Sequence, residues 1–168
     1  MTTLFTGRVV NTVRIERIYS STPERIWELW TTAAGIESWW SPDGFTTEVG
    51  ELELRPGGAL VHTMTATAPE QIEFMKAAGM PLSTESRKTF VEVDEPGRLS
   101  YSSLADFIPG VEPYEFLTMV EIQPGEQGVR VTMTVDEMHD EVWTQRLVAG
   151  RTNELDNLAK VIGEGAAG

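Results

Sequence analysis

The chain has 168 residues, a span that fits one compact domain with a real core. Its 13 Lys and Arg stand against 26 Asp and Glu, a formal charge of -13, and the basic residues are scattered, so a nucleic-acid partner is excluded on charge. With no cysteine there is no disulfide, thiolate nucleophile or zinc-thiolate site, and two histidines, His62 and His139, make no His-rich metal centre. No metal and no cofactor are expected.

Val13, Ile15, Arg17 and Tyr19 alternate with Arg14, Glu16 and Ser20, which predicts a first strand over 13–19 with residues 1–12 as an N-terminal extension. Ser21-Thr22-Pro23-Glu24 then supplies a hydroxyl cap, a proline in the first turn and an acid at the positive dipole end. The helix it starts carries Ile26, Leu29, Trp30 and Ala33 at helical spacing, and Gly35 is expected to close it in the left-handed conformation. A short second helix is expected over 36–40, stopped by Pro42.

From there the period changes to two. Strands are predicted over 46–54, 59–66, 87–94, 98–106, 114–123 and 129–136, separated by turns at Pro56-Gly57-Gly58, Glu95-Pro96-Gly97, Pro109-Gly110 and Pro124-Gly125. Residues 69–84 interrupt them as an insertion or flap of one or two helical turns. Helical period returns from Asp140, a cap, to Ile162, with Trp143, Leu147, Leu155, Leu158 and Ile162 as a stripe and a loose tail over 163–168. A strand, two short helices, six strands and a long helix make an α+β fold: a curved antiparallel sheet of about seven strands wrapped around the C-terminal helix.

The stretches Thr22-Pro23-Glu24-Arg25-Ile26-Trp27, Ser38-Trp39-Trp40-Ser41-Pro42-Asp43-Gly44-Phe45 and Glu53-Leu54-Arg55-Pro56-Gly57-Gly58 resemble the hallmarks of the family homologous to the activator of the 90-kDa heat-shock-protein ATPase. The pair of strands around Phe90 to Tyr101 resembles that family too, so the likeness runs over about 13–162. The resemblance implies the helix-grip fold of the START-like (SRPBCC) superfamily. That superfamily includes lipid and hydrophobic-ligand binders, polyketide cyclases and co-chaperone modules, so fold does not decide chemistry. Two departures lie near the expected pocket: the segment Pro69–Met80 is longer than in relatives, and Gly150-Arg151 stands where relatives carry Gly-Trp.

At 100° per residue Leu147, Arg151, Glu154, Leu158 and Ile162 share one face of the last helix, which places two charges in an apolar stripe. Either Arg151 and Glu154 form a local pair with the guanidinium reaching water, or Arg151 projects into a pocket and grips a ligand carboxylate, phosphate or phenolate. His62 shares a strand face with Leu60 and Met64, the placement of a hydrogen-bonded core histidine as much as of a functional one. Of Trp39 and Trp40, one is expected in the core and one at the pocket mouth. Gly57-Gly58 lacks the Lys-Ser/Thr and helix of a phosphate loop and reads as a turn, with Arg55 tying it to a carboxylate.

These readings converge on a small hydrophobic ligand, lipid-like or polyketide-like and bearing an anion, held in an internal cavity of the ~300–1,000 Å³ usual for such sites. The cavity candidates are Trp40, His62, Met64, Tyr101, Phe116, Trp143, Leu147, Arg151 and Glu154. The alternatives are a cyclase or dehydratase using an acid-base pair drawn from His62, Glu92, Asp106 and Glu115, and a module that docks on a heat-shock ATPase through an exposed apolar patch. Neither the residues of any reaction nor the oligomeric state is readable, and a homodimer stays open. No apolar run approaches the ~20 residues of a membrane span, and the first residues lack the order of a secretory signal, so no membrane insertion and a cytoplasmic location are expected.

Overall fold

The computed structural model describes residues 11–106, 108 and 110–167, the last four as backbone only. The expected 1–12 extension lies almost wholly outside the described residues. The chain runs β1 (Thr12–Tyr19), α1 (Pro23–Thr31), α2 (Ala33–Trp39), β2 (Phe45–Leu52), β3 (Ala59–Ala66), α3 (Pro69–Ala77), β4 (Ser83–Asp94), β5 (Arg98–Ala105), β6 (Tyr114–Gly125), β7 (Gly128–Asp136) and α4 (Glu141–Ala167).

Strands β2 to β7 form a meander and β1 closes on β7, giving the order β1-β7-β6-β5-β4-β3-β2 with every pairing antiparallel. Irregularities between Val49 and Glu51 and between Phe90 and Glu92 break the register on β2 and β4, the kind of feature that bends a sheet. The concave face is set by alternation: Leu60 and His62 on β3, Lys88 and Phe90 on β4, Leu99, Tyr101 and Ser103 on β5, Thr118, Val120 and Ile122 on β6, and Val131, Met133 and Val135 on β7 are all buried. Helix α4 lies across that face with Leu155, Leu158 and Ile162 buried, and the Tyr19 hydroxyl donates to the Leu155 carbonyl at 2.9 Å to fix it to β1.

Local signals explain most element ends. The Thr22 hydroxyl accepts from the Arg25 amide at 3.2 Å and Pro23 opens α1, as the sequence predicts. The Asp140 carboxylate accepts from the Trp143 amide at 2.8 Å and caps α4. Arg55 pairs with Glu53 at 3.2 Å beside the Gly57-Gly58 turn.

Three expectations are corrected. Gly35 does not end α1: Thr32 breaks the helix in extended conformation, and its hydroxyl caps α2 by accepting from the Gly35 amide at 3.0 Å. Glycine is required there for space, since a Cβ would sit 2.6 Å from the Glu28 carbonyl oxygen. The 69–84 insertion is shorter than expected, because β4 starts at Ser83 and pairs Ser83, Thr84 and Glu85 with Thr65, Met64 and Thr63. These three residues are exposed on both faces, so backbone pairing holds them without a hydrophobic period. The tail is helical through Ala167: a formed helix gains one backbone bond per added residue, and Ala166 and Ala167 favour continuation.

Candidate functional site

The concave face changes character along the strands. Beside the apolar region around Leu99, Val120 and Met133 lies a buried polar cluster where β3, β4, β5 and β6 face the middle of α4. Cross-strand pairing sets Lys88 opposite Leu60 on one side and Ser103 on the other, and places Phe90, Tyr101, Thr118 and Val135 in the neighbouring row. Lys88 is 8% exposed, His62 3% and Tyr101 1%.

From α4, Arg151 and Glu154 drop onto this row. Arg151 Nη1 donates to Glu154 Oε2 at 2.9 Å and Nη2 donates to Thr118 Oγ1 at 3.3 Å. The i,i+3 pair expected of Arg151 therefore forms, but it is buried against the sheet rather than reaching water, with side chains 8% and 12% exposed. Trp40, at the end of α2, covers the cluster with its ring 5.5 Å from His62 and 6.3 Å from Tyr101, while Trp39 packs on Trp30 at 4.8 Å and donates its indole N–H to the Leu29 carbonyl. Both tryptophans are buried in the core, and Trp40 is the one that faces the polar cluster.

Lys88 is the residue that sequence reasoning missed. Its Nζ sits 5.9 Å from the Trp40 ring centre and 6.0 Å from that of Tyr101, and among the described residues it makes neither hydrogen bond nor ion pair. The signal was present: on β4 Lys88 and Phe90 point inward between the exposed Thr89 and Val91.

Electrostatics follow from burial. Desolvation pushes Lys88 down to about 8, helped by the nearby Arg151 charge and opposed by Glu154. Desolvation, then Lys88 and Arg151, push His62 down to about 4, so the imidazole is neutral at pH 7. Burial pushes the Tyr101 hydroxyl up to about 12 despite Arg151. For Arg151 burial works against the charge, but Glu154 and Tyr101 outweigh it and raise the guanidinium above its ordinary value.

A stability test follows for His62. The unfolded chain takes up a proton near pH 6.5, whereas the folded chain refuses it until about 4, so folding loses stability as pH falls through that window. His62→Gln should flatten this part of the profile; urea midpoints at pH 7, 6 and 5 that shift in parallel for both proteins would show that His62 is not buried neutral.

Among the described residues five buried atoms of the cluster have no hydrogen-bond partner, namely both ring nitrogens of His62, Ser103 Oγ, Arg151 Nε and Glu154 Oε1, while the Trp30 indole N–H and the Tyr101 hydroxyl lie against each other without a well-formed bond. Each such atom costs about 1–3 kcal/mol when left unmade, so their concentration in one place is a strong feature of the fold.

Of the predicted site residues, Trp40, His62, Tyr101, Arg151 and Glu154 come together here, and Met64 packs half-buried against the same core. Phe116 and Trp143 do not join them; they pack with Ala105, Ile108 and Met138 in a second cluster, and Leu147 touches both cores. Trp143 lies eight positions before Arg151 on α4, about 12 Å along the axis, which places the tryptophan beyond the polar row. The proposed acid-base partners do not meet His62: Glu92 pairs with Arg98 at 3.5 Å, and Asp106 and Glu115 are exposed. The carboxylate at the cluster is Glu154. A groove of about 470 Å³ matches the expected size but not the place, since it lies beside the β6–β7 turn between Ile18, Gln123 and Arg130.

Among the described residues no three acidic or imidazole groups gather as a metal site, and no helix is long and apolar enough to cross a membrane. A curved antiparallel meander closed by a long C-terminal helix defines an α+β helix-grip protein. More narrowly, residues 20–163 match the family model described as activator of Hsp90 ATPase homolog 1-like protein, and the chain belongs to that family.

Solved structures agree on the fold. A protein of Chromobacterium violaceum is 23% identical with a TM-score of 0.73, over 90% of this chain and 96% of its own. The AHSA1-like protein of Aeromonas hydrophila is 22% identical with a TM-score of 0.71, over 94% of both chains. The AHSA1 protein of Silicibacter pomeroyi is 18% identical with a TM-score of 0.71, over 92% of this chain and 99% of its own. Among curated proteins, none matches the chain.

Proposed function

We propose that the cluster between the sheet and α4 binds a small hydrophobic molecule through an anionic group. The observation that carries this reading is the imbalance of the site: two buried cations, Lys88 and Arg151, face one buried carboxylate, Glu154. The unpartnered atoms lean the same way, because the guanidinium Nε, the Ser103 hydroxyl and one nitrogen of the neutral His62 ring offer donors, against Glu154 Oε1 and the second His62 nitrogen as acceptors. A carboxylate, phosphate or phenolate accepts only, so it complements such a site in both charge and hydrogen bonding. Trp40, Leu60 and Phe90 supply an apolar frame for the rest of the ligand.

The membership of the family supports a helix-grip binding protein, and the polar lining sharpens the choice toward acids. The large exposed apolar residues Ile18, Phe74, Met80, Val91, Leu104 and Val142 are spread over β1, the α3 region, β4, β5 and α4, which gives docking on a heat-shock ATPase less support.

The test compares 2-naphthoic acid with 2-naphthamide by native mass spectrometry and calorimetry. The acid should bind the wild type, and Arg151→Met should weaken it by about 10–100-fold, the value of a charge-assisted bond, while leaving the amide unchanged. Equal retention of acid and amide by the wild type, or retention of neither, overturns the reading.

A further inference from the structure

Lys88 differs from the other cation of the cluster. Arg151 is engaged by Glu154 and Thr118, whereas the Lys88 amine, on a residue 8% exposed, faces two aromatic rings and no carboxylate within pairing distance among the described residues. A lysine held this way has its amine free to do more than supply charge. Desolvation in an apolar pocket beside a second cation is the standard means of making a lysine amine nucleophilic at neutral pH.

We propose that Lys88 forms a reversible imine with a ligand that carries an aldehyde or ketone as well as its anionic group. This rests on the anion-binding reading of the same site and deepens it: Arg151 takes the anion, and the Lys88 amine takes the carbonyl.

The step balances without any other reagent. The amine lone pair attacks the carbonyl carbon, the C–N bond forms and the π pair moves to oxygen, giving a carbinolamine once a proton passes from nitrogen to oxygen. The C–O bond then breaks as nitrogen forms the C=N bond, and both amine protons leave with the oxygen as water. Hydrolysis is the reverse of the same sequence. Among the described residues Glu154 Oε1 has no hydrogen-bond partner in this cluster, and that oxygen is suited to passing the proton between nitrogen and oxygen. The lysine, pushed down to about 8, is mostly charged at pH 7 but keeps roughly a tenth of its amines neutral for the attack.

The sequence makes the test clean, because the chain has three lysines, Lys76, Lys88 and Lys160, and the other two are exposed. The full-length protein is incubated with 6-formyl-2-naphthoic acid and sodium cyanoborohydride, and adducts are located by peptide mapping. The expected result is reductive labelling at Lys88 at least about tenfold above Lys76, Lys160 and the N-terminal amine. Lys88→Arg, which keeps a cation at this position but cannot form the imine, should lose that adduct; a thermal melt checks that the variant is folded.

Binding of 2-naphthoic acid with no adduct at Lys88, or with label spread evenly over the amines, overturns the imine and leaves the anion site standing. Failure of both the acid and the aldehyde to bind overturns the two readings together.

Discussion

Replacing Glu154 by alanine is expected to destabilise the fold by about 3–5 kcal/mol and lower its melting temperature by roughly 10 °C, a larger effect than any surface substitution would give. The reason lies in what stays behind. Arg151 and Lys88 would remain on the dry side of the sheet with no carboxylate between them, and Arg151 cannot shed its proton. Lys88 can, so part of the strain should be relieved by its deprotonation, and the variant should recover stability as pH rises above neutrality more steeply than the wild type. Adding 2-naphthoate should restore part of the loss by returning an anion to the cluster. Chemical denaturation at pH 7 and 9 measures both effects; a loss under about 1 kcal/mol would mean that the pair is solvated and contributes as surface pairs do.

Gly128→Ala is expected to cost about 3 kcal/mol or more, and for a reason remote from charge. Gly128 sits at φ +123° at the start of β7, and a Cβ there would lie 2.1 Å from the Tyr19 carbonyl oxygen and 3.1 Å from the Tyr19 carbonyl carbon. The backbone on both sides is paired, with Val129 opposite Tyr19 and Gly125 opposite Gly128, so neither partner moves freely. Displacing Tyr19 also pulls on its hydroxyl, which holds the Leu155 carbonyl of α4. The effect should therefore reach the helix that closes the site. Urea unfolding reads the stability, and amide exchange along α4 reads the spread; exchange that is unchanged in α4 would confine the damage to the hairpin.

The sheet and the closing helix were legible because burial on one face imposes a period, and both periods are strong here. What resisted reading were places where something other than burial sets the structure. The first residues of β4 are held by backbone pairing and a hydroxyl contact between Ser83 and Thr65, and the break between α1 and α2 is made by the Thr32 hydroxyl and the tight fit at Gly35 rather than by a hydrophobic signal. The site was half legible. Arg151 and Glu154 stand out as charges inside an apolar stripe, and that anomaly points to the face of α4 that carries the buried polar cluster. Lys88 obeyed its strand's alternation just as well, but a lone lysine between polar neighbours reads as surface unless the inward register of β4 is taken literally. Phe116 and Trp143 were grouped with the site because aromatic residues on inward faces look alike, whereas the length of α4 divides that face into two cores.

The polar cluster is assembled from residues far apart in the chain: His62, Lys88, Tyr101 and Thr118 come from the sheet, and Arg151 and Glu154 from α4, which follows every strand. On the ribosome, therefore, the sheet can complete its meander while its concave face is still wet. At that stage Lys88 and His62 are ordinary solvated bases. Only when α4 emerges and docks are the two cations driven together out of water, so the polar cluster forms as one event with the closing of the core.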